Sequence, residues 1–336
     1  MALRLRSVLP IALILIALGL SGCSNPSNGA PAAALPTSLP ATDGTSPPPV
    51  PPSPSARVVV TTNFGKRLVL DTPVDLATKS SAMEALRAVA EVKTAYGGGF
   101  VKDINGARAE YGKFGDTDWF LYINGIQTKS GALDYTLRPG DIEHWDLHDW
   151  GFHSFIPALI GDFPEPFVHG YGGETMPTII VYDDTFQEEA AQLVKLLTRL
   201  GAEEVSTRRI EELSKDEKES CNLILLGDRN SPLVAEVNKL WKRMGFFARF
   251  DGDKLVILNS KGKAQRELGA GAGLIQATQN PWNPKGIGVC ENVVWMVTGT
   301  DESGVRKAAA LVNRYEEFQW AFGIAVSEGE IIKVPK

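Results

Sequence analysis

The sequence predicts two unlike folded regions in a chain of 336 residues. The first is an α+β, β-grasp-like N-terminal domain over 57–150; the second is an α/β domain with a mainly parallel sheet over 177–336. Three observations carry this expectation. A hairpin pattern, one capped helix and further short strands follow one another in the first region. Continuous apolar runs alternate with amphipathic helical stretches in the second. A segment of altered composition, unable to build a core, precedes both. The length suits about two domains at roughly 100–200 residues each, and a chain that is 43% apolar can fill their cores. A net charge of −6 without a basic block argues against a nucleic-acid partner. Three widely spaced cysteines make neither a disulfide scaffold nor a zinc signature.

Residues 1–23 read as a signal peptide, with Arg4 and Arg6 ahead of an apolar stretch over 8–20. That stretch is too short for a stable spanning helix and suits a secretory h-region. Leu20-Ser21-Gly22-Cys23 resembles a bacterial lipobox. The resemblance implies lipidation at Cys23 and a protein held on a membrane by its lipid, facing away from the cytoplasm. Several acyl chains make a lasting anchor, at ~0.8 kcal/mol per buried methylene. Over 24–56, ten of 33 residues are proline and the only charge is Asp43. Such a composition reads as an extended, disordered linker.

In the first domain, 57–63 and 67–71 are β-rich runs around Asn63-Phe-Gly-Lys66, a hairpin pattern. Ser81-Ala-Met-Glu84 is a capping box, and Met83, Leu86, Val89, Ala90 and Val92 follow with mostly helical spacing. Gly97-Gly98-Gly99 is expected to end that helix. Strands are expected at 100–104, 119–124, 133–137 and 142–147, with Asn124-Gly125 and Pro139-Gly140-Asp141 as turns.

Asp118-Trp119-Phe-Leu-Tyr122-Ile-Asn124-Gly125, Gly131-Ala-Leu-Asp134-Tyr135 and Leu137-Arg-Pro-Gly140-Asp141-Ile-Glu143 together resemble the C-terminal β-domain of transcobalamin and intrinsic factor. The resemblance covers about 90 residues. It implies a domain that closes over one face of cobalamin, with Trp119, Tyr122, Asp134 and Tyr135 as corrin contacts. The helical barrel of those carriers has no counterpart here. A corrin is a broad, largely apolar disc with an amide fringe, so its site calls for flat aromatic surface and a few hydrogen-bonding groups. Trp145 and Trp150 lie close enough in sequence to join that surface.

All four histidines, His144, His148, His153 and His169, fall in or just after this region. In a strand, His144, Asp146 and His148 would share one face. That face could be a solvated polar surface, a metal site at His144 and His148, or an imidazole able to reach a corrinoid cobalt. The solvated face is the expectation, and no further ligand pattern supports a metal.

The connector over 151–176 contains Asp162-Phe-Pro-Glu-Pro-Phe167, stiffened by proline. Beyond it, 178–182, 222–226 and 293–298 are apolar runs suited to buried parallel strands, with 254–258 as a further strand. Helices are expected at 186–200, 232–244 and 302–315. Strands alternating with helices indicate right-handed crossovers in a parallel sheet.

Leu226-Gly-Asp-Arg-Asn230-Ser-Pro232, Gly269-Ala-Gly-Ala-Gly273-Leu-Ile-Gln276, Asn280-Pro281-Trp-Asn283 and Thr298-Gly299-Thr-Asp301-Glu-Ser-Gly304 resemble a repeated α/β module of archaeal S-layer proteins. This implies a surface or scaffolding module. Gly269–Gly273 lacks the spacing of a dinucleotide loop, and Gln265-Arg-Glu before it does not read as a strand. Asp183, Asp184, Asp228 and Asp301 follow strands and are expected to be loop and cap residues. Phosphate-loop, nucleophile-elbow and zinc-protease motifs are missing, so no enzyme and no catalytic residue is expected. Cys221 reads as a core residue, and a Cys221–Cys290 disulfide is left open.

The expected function is therefore capture of cobalamin or a related corrinoid outside the cytoplasm, feeding an uptake system, with no covalent cofactor. A membrane transporter or a cell-wall component would be the protein partner. The alternative is a structural or adhesion lipoprotein of the cell surface without a small-molecule ligand.

Overall fold

The computed structural model describes residues 54–76 and 80–336. The signal peptide, Cys23 and the spacer up to residue 53 lie outside the described residues. The molecule is mixed α+β, with several sheets and more strand than helix.

The first hairpin pairs β1 (Ser55–Thr62) with β2 (Arg67–Asp75), so β1 already begins inside the segment expected as linker. Ser81 caps α1 (Ala82–Val89): its hydroxyl accepts from the Glu84 N–H at 3.2 Å, and its own N–H donates to Glu84 Oε2 at 2.8 Å. Such a reciprocal cap stabilises a helix start by about 1 kcal/mol. The helix stops at Ala90, well before the glycine triplet. Val92 instead opens β3 (Val92–Ala95), and Gly97–Gly99 turns β3 into β4 (Phe100–Ile104). β5 (Ala107–Arg108) completes this small sheet. The expected strand at 133–137 is a turn, in which the Asp134 and Tyr135 N–H groups both donate to Gly131 O. Those carbonyl and amide groups are satisfied locally, leaving only one bridge, from Thr136 to Ser81.

β6 (Thr117–Ile123), β7 (Ile126–Gln127) and β8 (Ile142–Asp149) complete a five-stranded sheet in the order β2-β1-β8-β6-β7. β1 and β8 run parallel at its centre. Period-two alternation splits its residues. Val58, Val60, Leu121, Ile123 and Trp145 pack with Met83 and Leu86 of α1. Tyr122, His144, Asp146 and His148 lie on the other face, which is covered as well.

The second sheet is built from β9 (Thr178–Tyr182), α2 (Gln187–Arg199), β10 (Val205–Arg209), α3 (Lys215–Ser220), β11 (Asn222–Asp228) and α4 (Pro232–Lys239). A three-stranded insert follows: β12 (Ala248–Asp251), β13 (Lys254–Leu258) and β14 (Ala264–Leu268). β15 (Gly273–Gln279), β16 (Val293–Gly299), α5 (Glu302–Val312), β17 (Gly323–Ser327) and β18 (Glu330–Val334) finish the chain. The strand order is β10-β9-β11-β16-β15-β17-β18.

Two expectations are corrected. β10, β9, β11 and β16 are parallel, but β15, β17 and β18 run antiparallel, so the sheet is mixed rather than mainly parallel. Gln265 to Glu267, read as non-strand, lies in β14 because β13 offers it a hydrogen-bonding edge. The apolar runs of β9, β11 and β16 are continuous because both faces are buried. Ile180, Ile224 and Trp295 pack with α2 and α5, whereas Ile179, Leu223 and Met296 pack with α4 and the insert.

The connector between the sheets is packed rather than exposed. Leu159 N–H donates to Gly125 O at 2.9 Å, and Ile160 N–H donates to Ala321 O at 3.1 Å, joining the first sheet to the entry of β17. Gly161 permits this approach, since a Cβ there would fall 2.2 Å from Ala321 N. Phe64, at the tip of the first hairpin, belongs to the same buried cluster as Leu223 and Phe247.

Candidate functional site

One open groove of about 220 Å³ lies on the α1 side of the first sheet. Phe100 and Val101 of β4 form one wall, Asp118 to Leu121 of β6 with Trp145 of β8 form the floor, and Gln127, Thr128 and residues 130–132 form the other wall. Trp119 and Trp145 arrive on one face because Trp119 pairs with Leu147 and Leu121 with Trp145 across adjacent strands. Trp145 Nε1 donates to Glu143 Oε1 at 2.6 Å. Burial pushes the Glu143 carboxyl up to about 8, against the lowering effect of that hydrogen bond, so it keeps its proton at neutral pH. The Trp119 indole N–H is buried without an acceptor. Such a group carries a standing desolvation cost until something accepts from it.

Outside the groove its wall continues as exposed rings. Tyr96 is 89% exposed and meets Phe100 edge-on at 5.8 Å. Phe100 lies 6.2 Å from Tyr111. Tyr111 OH donates to Asp118 Oδ1 at 2.8 Å, and the Trp119 backbone N–H donates to the same oxygen at 2.8 Å. Leu133, also exposed, borders Gly99. Tyr96, Phe100, Tyr111 and Asp118 were not singled out as ligand contacts by the sequence. The available signal was an aromatic residue beside three glycines, a combination that places a ring on a turn tip.

The six residues expected at a ligand surface are dispersed. Trp119 and Trp145 line the groove, both more than nine-tenths buried. Tyr122 is fully buried on the opposite face, 5.5 Å from Phe322. Tyr135 is sealed, its hydroxyl accepting from Gly172 N–H at 3.0 Å. Asp134 is exposed in the 131–135 turn. Trp150 is partly exposed beyond the end of β8. Period two sends Tyr122 and Trp119 of one strand to opposite sides, so they cannot share one ligand face.

His144, Asp146 and His148 do share a face, but that face is not solvated. All three are buried in a continuous hydrogen-bonded chain. Asp162 Oδ1 lies 2.7 Å from His144 Nδ1, and His144 Nε2 lies 2.8 Å from Thr61 Oγ1. Thr61 in turn donates to Asp146 Oδ2 at 2.6 Å. Asp146 also accepts from the Phe64 and Gly65 N–H groups, and pairs with His148 Nδ1 at 2.8 Å. The Thr61 hydroxyl, bonded to Asp146, thus links the Asp146–His148 pair to the His144–Asp162 pair. Burial alone would raise the Asp146 carboxyl, yet its hydrogen bond and charge pairing with His148, with Thr61 and Gly65, hold it below the ordinary carboxylate range.

Asp162, His144 and Thr61 have the spacing of a carboxylate–imidazole–hydroxyl triad. Here the hydroxyl is committed to Asp146 and all three side chains are buried, so the arrangement fastens the hairpin tip and the connector to the first sheet. Among the described residues, no three His, Cys, Asp or Glu side chains gather as a metal site. His153 Nε2 lies 3.0 Å from Phe246 O, and His169 Nδ1 pairs with Glu165 at 2.5 Å.

Cys221 and Cys290 are both free thiols, buried in different surroundings, and do not pair. Asp301 caps α5, accepting from Gly304 N–H at 3.0 Å, and also accepts from Gly271 N–H. The glycine loop thus closes onto an N-cap and leads into a strand, β15.

The family described as a domain of unknown function (DUF4430) matches residues 79–149, the portion that carries the groove. Among solved structures, a protein of Ruminococcus gnavus ATCC 29149 with an ascribed metal-binding role is 15% identical. That match covers 28% of this chain and 96% of the other, at a TM-score of 0.23. Haptocorrin in complex with Cbi is 17% identical over 28% of this chain and 25% of its own, also at a TM-score of 0.23. The chain therefore spans about a quarter of haptocorrin. No curated protein matches.

Proposed function

We propose that this protein captures cobalamin or a related corrinoid through the groove on its first sheet and passes it to an uptake system. The observation that carries this reading is the run of rings from Tyr96 through Phe100 to a floor of Trp119 and Trp145. Flat aromatic surface that is already positioned binds a planar, largely apolar ligand with little ordering cost. A cavity of about 220 Å³ takes the edge of such a disc, and the exposed rings support the remainder. The protein acts by binding, and no bond is made or broken. Cys23 supplies the lipid anchor on the outer side of a membrane, and the second sheet serves as an S-layer-like surface module. The hairpin–helix–strand order with parallel β1 and β8 at the centre supports a β-grasp assignment for the first region.

Titrating the mature chain with cyanocobalamin and dicyanocobinamide, while following corrin absorbance and tryptophan emission, tests this reading. Saturable spectral change is expected, weakened by Tyr96→Ala with Phe100→Ala. No change at high micromolar ligand would replace it with a lipid-anchored scaffold.

A further inference from the structure

We infer that the face formed by the three-stranded insert and the end of α4 is a contact surface for an anionic phospholipid bilayer, with Lys242 and Lys263 supplying charge and Trp150 a ring for the headgroup boundary. The inference is independent of what the groove binds and does not require a lipid at Cys23.

Between Lys239 and Arg266 the chain carries eight lysines and arginines against two aspartates, a net of +6 inside a chain whose total is −6. These charges are spaced too widely to read as a basic block, but the fold gathers them. Lys242 Nζ and Arg249 Cζ lie 5.4 and 5.5 Å from the Trp241 ring. Trp241 is 6.2 Å from Phe152, and the Phe152 ring lies against Gly262, where a Cβ would fall 2.2 Å from it. Gly262 separates Lys261 from Lys263, and Asn259 Oδ1 accepts from both of their backbone N–H groups, at 3.0 and 2.9 Å, which fixes the turn. Rings thus join two basic segments into one continuous surface. Of the eight, Arg249, Lys254, Lys261 and Arg266 are paired with carboxylates. Lys239, Lys242, Arg243 and Lys263 are exposed and unpaired among the described residues. Unopposed cations near an anionic bilayer each add to binding, whereas the acidic excess elsewhere on the chain is screened beyond ~10 Å. Trp150, 37% exposed, follows Asp149, the partner of Lys261, and so borders the same turn. A tryptophan beside lysines suits the headgroup boundary, where the cations meet lipid phosphates and the ring meets the upper acyl carbons. A soluble polyanion would engage the lysines and leave that ring idle.

The mature chain carrying Cys23→Ser, which leaves no thiol there for a lipid, is sedimented with vesicles of phosphatidylcholine, with and without phosphatidylglycerol. Binding is expected only where phosphatidylglycerol is present, and is expected to fall steeply as salt is added. Lys242→Glu with Lys263→Glu is expected to weaken it about tenfold or more, and Trp150→Ala about threefold. Lys195→Glu with Arg199→Glu makes the same change of net charge at exposed positions of α2, which packs on the opposite face of the second sheet. That pair is expected to weaken binding by less than about threefold. Equal weakening by the two pairs, or equal binding to both kinds of vesicle, overturns the inference. Failure to bind phosphatidylglycerol vesicles, with or without binding to soluble polyphosphate, overturns it as well. Corrinoid titration of the groove reads a separate surface and stands or falls apart from these outcomes.

Discussion

The Phe64 ring stacks on the His148 imidazole at 4.6 Å, and Phe120 stacks on its other side at 4.2 Å. A hairpin tip therefore closes over a buried histidine of β8 and, through Phe247 and Phe322, reaches the core below the second sheet. Phe64→Ala removes this plug. It is expected to lower stability by about 3–5 kcal/mol, as large-to-small changes in packed cores do. The midpoint of denaturant unfolding measures it, and a loss under ~1 kcal/mol would show that the tip is not a core element.

Asp146 holds that tip by accepting from Phe64 and Gly65 N–H while bonding Thr61 and His148. Asp146→Asn replaces an acceptor with a donor amid donors, and is expected to cost about 2–4 kcal/mol at neutral pH. A carboxyl held below its usual range contributes stability above the unfolded value of 3.8, and that contribution fades as acid protonates it. The deficit of the variant is therefore expected to narrow when unfolding is measured in strong acid.

Glu143 runs the opposite way. Its carboxyl is raised from 4.5 to about 8 by burial, so the folded state retains a proton that the unfolded chain releases. Stability is expected to fall as pH rises through that window, at up to about 1.4 kcal/mol per pH unit. Glu143→Gln keeps an acceptor for Trp145 Nε1 without the ionisation. Its melting temperature should exceed that of the wild type by most at alkaline pH and converge with it near pH 4.5, the ordinary carboxyl value. A pH-independent difference would contradict this.

Gly161 lets the connector lie against the chain entering β17, where a Cβ would meet Trp320 and Ala321 backbone at 2.2 Å. Gly161→Ala is expected to destabilise by about 2 kcal/mol or more, because backbone on both sides must move. Gly269→Ala, with open space around it and no unusual φ, is the control and should unfold like the wild type.

Trp119→Phe removes an indole N–H that has no acceptor while keeping a ring in place. Stability is expected to stay within ~1 kcal/mol of wild type or to rise, since a buried unsatisfied donor is lost. Affinity for dicyanocobinamide is expected to fall about fivefold, which isothermal titration would detect. Unchanged affinity would remove the Trp119 indole from the proposed ligand floor.

Local chemistry made much of this molecule legible in the sequence. The Ser81–Glu84 capping box, the turn over 63–66, the apolar runs of β9, β11 and β16 and the shared face of His144, Asp146 and His148 follow from periods and caps spanning a few residues. What covers a face does not follow from such periods. The same alternation that aligns the histidines is compatible with solvent or with a packed neighbour, and only the docking of Phe64, Phe322 and the connector decided for burial. That docking also sealed Tyr122 and directed Trp119 toward the groove. Tyr96, Phe100, Tyr111 and Asp118 all lie within 96–118, yet their contacts follow from how the turn, β4 and the start of β6 fold back on one another. That return of the chain is set by strand pairing, which a period or a cap of a few residues does not encode.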